Sequence, residues 1–292
     1  MQRSHVAGNA YRAFGVVLFI IGALGFMAVA LSFLSDVSQS TTAPPSDPDA
    51  LRAEAALRSG QLIGVILALV VGFAGLLIAG PSAIRYSRRH FIELAPDSGV
   101  PSTADPILYL RSFESDRPSG FGRASVTSDE EQLMKALRSI GKPIAIGRPR
   151  ESLPQIGAPR VYYSDAEWQE HVLQLVRASR LVVIRTGFGD GLRWEVEQIL
   201  SIVHPEKLLI VVSTLPSLEA FGSWTRSVIR WPSPGLVFRK PLFAGIYGFI
   251  LFDTNWSPIC IQLNRVGLLR RGLFHYIEFR RALKPLLRRF QA

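Results

Sequence analysis

The residues best suited to chemistry lie in one stretch, Thr186-Gly187-Phe188-Gly189-Asp190-Gly191-Leu192-Arg193-Trp194-Glu195-Val196-Glu197. It joins a short apolar run to a helical pattern, and backbone amides at such a junction can cradle phosphate. The glycines fall short of the full dinucleotide fingerprint, so a tight turn without a ligand explains them equally well. Glu195 and Glu197 open the helix that follows. A carboxylate beside Trp194 in a crevice can be desolvated and can stabilise a cationic transition state. The plain alternative is a solvated glutamate favoured by the positive end of the helix dipole. No Walker-type loop, HExxH or GxSxG occurs, and the five histidines are scattered. Cys260 is the only cysteine, which excludes a disulfide framework and a cysteine-based zinc or iron–sulfur site.

The surrounding pattern indicates which elements position these residues. Short apolar runs at 106–111, 142–147, 181–185 and 208–212 have strand length. Helical patterns lie between them over about 130–140, up to about 178, and about 192–203. Ser128 with Glu131, and Ser164 with Glu167, have capping-box spacing. Strands alternating with helices imply an α/β domain with a mainly parallel, flavodoxin-like sheet covered on both faces. Ligands of such sheets bind at the carboxyl ends of the strands. The apolar run 242–252 is too short to span a bilayer and reads as a buried strand or helix, with a membrane-dipping segment as the alternative.

This order of elements resembles a TIR (Toll/interleukin receptor homology) domain of the bacterial membrane-anchored type. The likeness rests on Pro106-Ile-Leu-Tyr-Leu-Arg-Ser-Phe-Glu-Ser-Asp116, Ala178-Ser-Arg-Leu-Val-Val-Ile-Arg-Thr186, Leu192-Arg-Trp-Glu-Val-Glu-Gln-Ile199 and Leu208 to Ser213. It covers about 110 residues. The resemblance implies binding of NAD(P) as a substrate, with no cofactor required, and hydrolysis of its nicotinamide–ribose bond in signalling or defence. Glu195 would be the catalytic carboxylate, with Glu197 as second choice. Arg111, Ser112, Phe113, Thr186, Gly187 and Trp194 would contact the nucleotide. Other TIR domains are non-catalytic scaffolds that self-associate, and that function is the alternative. The usual four-residue Trp–Glu spacing is absent here, so either glutamate departs from the family pattern.

The N-terminal part differs in composition. Residues 13–34 form an uncharged run of 22, and 59–84 form another of 26. Both exceed the roughly 20 apolar residues that cross a bilayer as a helix, which predicts two spans at about 13–34 and 61–82. Gly64, Ala68 and Gly72 make a small-residue stripe in the second. The segment between the runs holds four acidic and two basic residues. Arg3, Arg12, Arg85, Arg88 and Arg89 flank the pair. By the positive-inside rule, this expects a two-pass protein of a bacterial inner membrane with both termini cytoplasmic.

The net charge of +10 is unevenly placed. Residues 91–264 hold 18 basic and 18 acidic side chains, whereas 265–292 hold eight basic residues and Glu278 alone. A neutral domain body argues against a nucleic-acid partner. The basic clusters read as contacts to anionic lipid headgroups. The expected organisation is a membrane region over 1–90, a linker over 91–105, the TIR-like domain over 106–264, and a basic amphipathic helix over 265–292. That last helix either touches the membrane or packs on its own domain. Homo-oligomers through the spans or the TIR-like faces complete the expectation.

Overall fold

The computed structural model describes residues 5–39, 80–91, 105–112, 128–147, 157–163, 167–229, 245–263 and 275–290, and isolated positions between them. Two compact units result, one mainly of residues 4–88 and one mainly of 89–292.

In the first unit, α1 runs over His5–Gln39, longer than the 22 residues of the uncharged run. Among the described residues it is the one helix long and apolar enough to cross a membrane, with mean hydropathy 2.2 over His5–Val29. α2 (Gly80–Arg88) packs against it, with Tyr11 and Tyr86 edge to face at 4.7 Å. Most of the second predicted span lies outside the described residues. One member of its small-residue stripe has a visible role. A Cβ on Gly72 would stand 3.1 Å from the Gly22 carbonyl oxygen, whereas one on Gly64 would meet nothing.

The second unit is built on a seven-stranded sheet. The strands are β1 (Ile107–Arg111), β2 (Pro143–Ile146), β3 (Arg160–Val161), β4 (Leu181–Arg185), β5 (Leu208–Val212), β6 (Gly248–Phe252) and β7 (Pro258–Gln262). Their spatial order is β3-β2-β1-β4-β5-β6-β7. The first five run parallel, in agreement with the four predicted strands; β6 and β7 add an antiparallel hairpin at one edge. The sheet is therefore mixed, because β6 runs antiparallel to β5, and a five-residue reversal at 253–257 returns the chain as β7. β6 takes up residues 248–252 of the 242–252 run and is wholly buried, so that part of the run is a core strand.

Alternation along the strands separates two cores. Ile107, Tyr109, Leu181, Val183, Leu209 and Val211 face one layer, and Leu108, Leu110, Val182, Ile184, Leu208 and Ile210 face the other. The first face carries α3 (Asp129–Leu137) through Leu133, Met134 and Leu137. The second carries α4 (Trp168–Ala178), α5 (Asp190–Ile202) and α6 (Leu215–Thr225). The capping box of α3 is complete. The Glu131 amide donates to Ser128 Oγ at 3.1 Å, and the Ser128 amide donates to Glu131 Oε2 at 2.8 Å. The box expected at Ser164 and Glu167 does not form with Glu167 as its third helical residue. Glu167 is itself the N-cap of α4 and makes no side-chain cap.

In the tail, the described residues 275–290 take the domain-packed alternative, as two short helices in place of one. They form α7 (His275–Ala282) and α8 (Lys284–Arg289), with Pro285 in the first turn of the second, where its missing N–H costs nothing. Phe279, Leu283 and Leu286 are fully buried in the α3-side core, so the apolar stripe faces the sheet and not a bilayer. Side-chain bonds fasten it. His275 Nδ1 lies 3.2 Å from Asp129 Oδ1, and Arg289 donates to the Phe252 carbonyl at 2.8 Å. The basic tail thus belongs to the domain.

Candidate functional site

The chain enters the sheet at β1, moves to β2 on one side, and later returns to β4 on the other side of β1. The carboxyl ends of β1 and β4 therefore flank a topological switch point, the place where open α/β sheets bind ligands. Arg111 and Ser112 end β1 there; Arg185, Thr186 and Gly187 end β4. The sequence candidates from these two segments are brought together. Phe113 lies outside the described residues.

The glycine stretch becomes a turn into α5. Gly189 is the N-cap with φ 109°, a conformation that a side chain would strain. Phe188 stands exposed at its tip. α5 then presents Leu192, Glu195, Val196 and Ile199 to the core, the three- and four-residue steps of an amphipathic face. Glu195 thus occupies a core position about 1.5 turns into the helix. Its carboxyl makes no hydrogen bond or ion pair among the described residues, and burial pushes its pKa from 4.5 up to about 8. Trp194, its neighbour, meets Trp168 of α4 edge to face at 5.0 Å, walling the same side of the sheet. Glu197 is different. It is exposed and accepts a hydrogen bond from Arg193 Nε at 3.0 Å, the ordinary i, i+4 surface pair. Burial therefore separates the two glutamates that the sequence left open.

The remaining candidates divide between the faces. Arg111 alternates with Ile107 and Tyr109, which places its side chain on the α3 side, opposite α5. There Arg111 Nη1 pairs with Glu130 Oε2 at 3.2 Å, both groups almost wholly buried. The second oxygen of Glu130 accepts from the Ala158 amide at 3.4 Å. Ser112 is buried at the strand end. Thr186 is fully buried, and its hydroxyl is engaged by Ser217 at 2.8 Å and Ser213 at 3.1 Å. Ser213 also donates to the Thr186 carbonyl at 2.6 Å. This network joins β4, β5 and the start of α6, so the Thr186 hydroxyl holds the strand ends in register.

Two elements of this region escaped the sequence reading. Arg185 sits beside Arg111 in the parallel register, next to the Tyr109 phenol, whose pKa burial and Glu130 together push up to about 12. Tyr163 stacks on His171 at 4.2 Å on the α4 side, and neither the Tyr163 hydroxyl nor His171 Nδ1 has a hydrogen-bond partner among the described residues. The signal for Arg185 was available, because a charged residue closing an otherwise apolar strand marks its polar end. Nothing in the local pattern linked Tyr163 to His171. No group of His, Cys, Asp and Glu that could hold a metal ion is found among the described residues.

No family model, curated protein or solved structure matches this chain.

Proposed function

We propose that this chain is a two-pass membrane protein whose α/β domain binds NAD(P) at the carboxyl edge of its sheet and hydrolyses the nicotinamide–ribose bond. The observation that carries this reading is Glu195. It is a buried carboxyl without a protein partner among the described residues, beside Trp194, in the helix that leaves the switch-point strand β4. Glu195 is 8% exposed and neither carboxyl oxygen is among the fully sealed polar atoms without a partner, so the acid end reaches the edge of the core.

Breaking the nicotinamide–ribose bond develops positive charge on the sugar. A desolvated carboxylate opposes that charge more strongly than a solvated one, and one preorganised group of this kind is worth about 10²–10³ in rate. With a pKa near 8, the free domain holds Glu195 largely protonated at neutral pH. The approach of a cationic nicotinamide ring favours loss of that proton, which couples ligand binding to activation. The Trp194–Trp168 pair supplies an apolar wall that excludes water. Among the spans, α1 provides one membrane crossing, and the run 59–84 with Arg85, Arg88 and Arg89 provides the second and a cytoplasmic domain.

The test is release of nicotinamide from NAD by the full-length protein in detergent or liposomes. Release should vanish in Glu195→Gln and survive in Glu197→Gln, and kcat/KM should rise with pH to a plateau above about 8 as the free carboxyl ionises. Absence of release from protein clustered on vesicles would leave the self-associating scaffold as the function.

A further inference from the structure

Exposed charge is sorted between the two faces of the sheet. On one face lie α3, α7 and α8, layered together through Leu133, Leu137, Phe279 and Leu286. The Tyr276 amide donates to Gln132 Oε1 at 3.1 Å, which joins α7 to α3 directly. At 3.6 residues per turn, Lys135 and Arg138 fall opposite Leu133 and Leu137, and both are exposed. Lys284 and Arg288 fall opposite Leu286 in the same way, with Arg280 and Arg281 exposed beside them. These helices turn their apolar sides to one core and their cations outward together. Their carboxylates are already engaged: Asp129 with His275, Glu130 with Arg111, Glu131 with the Ser128 amide, and Glu278 with Arg281. Lys135 stands 4.0 Å over the Tyr276 ring, which leaves its charge in place. The other face has the opposite balance. On α4, α5 and α6 the exposed acids Glu170, Asp190, Glu197 and Glu219 outnumber the exposed bases Arg177 and Arg193.

We propose that the outer side of α3, α7 and α8 is one electrostatic docking face for anionic lipid headgroups, which lays the domain on a bilayer and leaves the α5 side toward water. The occupant follows from the chain itself. α1 is long and apolar enough to cross a membrane, and where it does, a lipid surface is within reach of the domain. Tethering raises the effective concentration of that surface, so weak contacts suffice. Each base close to an anionic surface contributes about fivefold to the docked population, and salt screens the effect. Phe279, Leu283 and Leu286 are buried in the core, so the contact is ionic and involves no insertion of the tail's apolar stripe. In sequence, Lys135 and Arg138 belong to a stretch of balanced charge; the fold joins them to the basic tail. The inference rests on the membrane crossing in the reading above and not on the chemistry of Glu195.

The experiment reconstitutes the full-length protein in liposomes that carry a nitroxide on the lipid headgroup. A fluorescent label is placed on the α3 side by Ser139→Cys or on the α6 side by Ser223→Cys, each with Cys260→Ser; both label positions are exposed. With phosphatidylserine in the bilayer, quenching at position 139 should exceed that at 223 by roughly threefold or more. The difference should vanish in phosphatidylcholine alone and in about 1 M salt. Lys135→Gln with Arg138→Gln should lower the docked-to-undocked ratio about 25-fold, and so should Lys284→Gln with Arg288→Gln. If either variant fails to fold, the lipid and salt series decide the matter. Equal quenching at the two labels in anionic liposomes, or a difference that survives in phosphatidylcholine, would overturn the docking face. An unchanged ratio in the α3 variant would do the same, since the tail would then act alone. A duplex oligonucleotide that displaces the domain from anionic liposomes at micromolar concentration would reassign the face to nucleic acid. Protein stripped from phosphatidylcholine liposomes by alkali would remove the anchor and the inference with it. Protein that is retained there but shows no preferred face in anionic liposomes would defeat the docking alone.

Discussion

The pKa of Glu195 makes a stability prediction that does not depend on any ligand. In the folded domain this carboxyl is raised from 4.5 to about 8 by burial. The folded state therefore keeps its proton at pH values where the unfolded chain has released it. Stability from this group is fully present below about pH 4.5 and is lost as pH rises through the interval to about 8. At about 1.36 kcal/mol for each pH unit, the loss approaches a ceiling of about 5 kcal/mol, a large share of the roughly 5–15 kcal/mol that holds an ordinary domain folded. Glu195→Gln keeps the shape and cannot ionise. Its stability should lie close to that of the native protein at pH 5 and exceed it by several kcal/mol at pH 9. Denaturant titrations of the full-length protein in detergent across pH 5–9 measure the difference. The exposed Glu197→Gln variant serves as the control. Parallel pH profiles for native protein and Glu195→Gln would refute the burial of an unpartnered carboxyl, and with it the physical basis of the candidate site.

Three further outcomes are expected. Phe279→Ala removes a fully buried ring that meets Phe249 at 5.5 Å, and should cost about 3–5 kcal/mol by the same titration, because the tail is part of the core. Ser128→Ala deletes one half of the α3 capping box and should cost about 1 kcal/mol, read as a small shift in the denaturation midpoint. A cysteine placed at Ser40 should react with an impermeant maleimide on intact cells while Cys260 does not, and reversed labelling would overturn the two-pass orientation.

Local chemistry decided much of this protein before any tertiary contact. The runs at 106–111, 142–147, 181–185 and 208–212 became strands because β-branched and apolar residues of strand length, bounded by glycine, proline and capping residues, have few other stable forms. Ser128 and Glu131 set the start of α3 by bonds three residues apart, and the apolar run after Ala13 made a long helix for the same local reason. The carboxyl end of β4 was legible as a site for chemistry, because the glycine turn and Trp194-Glu195 are contiguous.

Other features depended on what the chain meets far away in sequence. Glu195 and Glu197 both lie near the opening of the same helix; only the direction of the sheet beneath α5 made the first a buried acid and the second a surface ion pair. The tail has the composition of a membrane-seeking helix. It packs on the domain because the hydrophobic effect is indifferent to partner, and the face of the sheet beside α3 offered apolar surface to Phe279, Leu283 and Leu286. Arg111 stands beside Arg185, 74 positions along the chain, because β1 and β4 pair across the switch point. No local pattern encodes that register, since it is set by how strands fill a shared core.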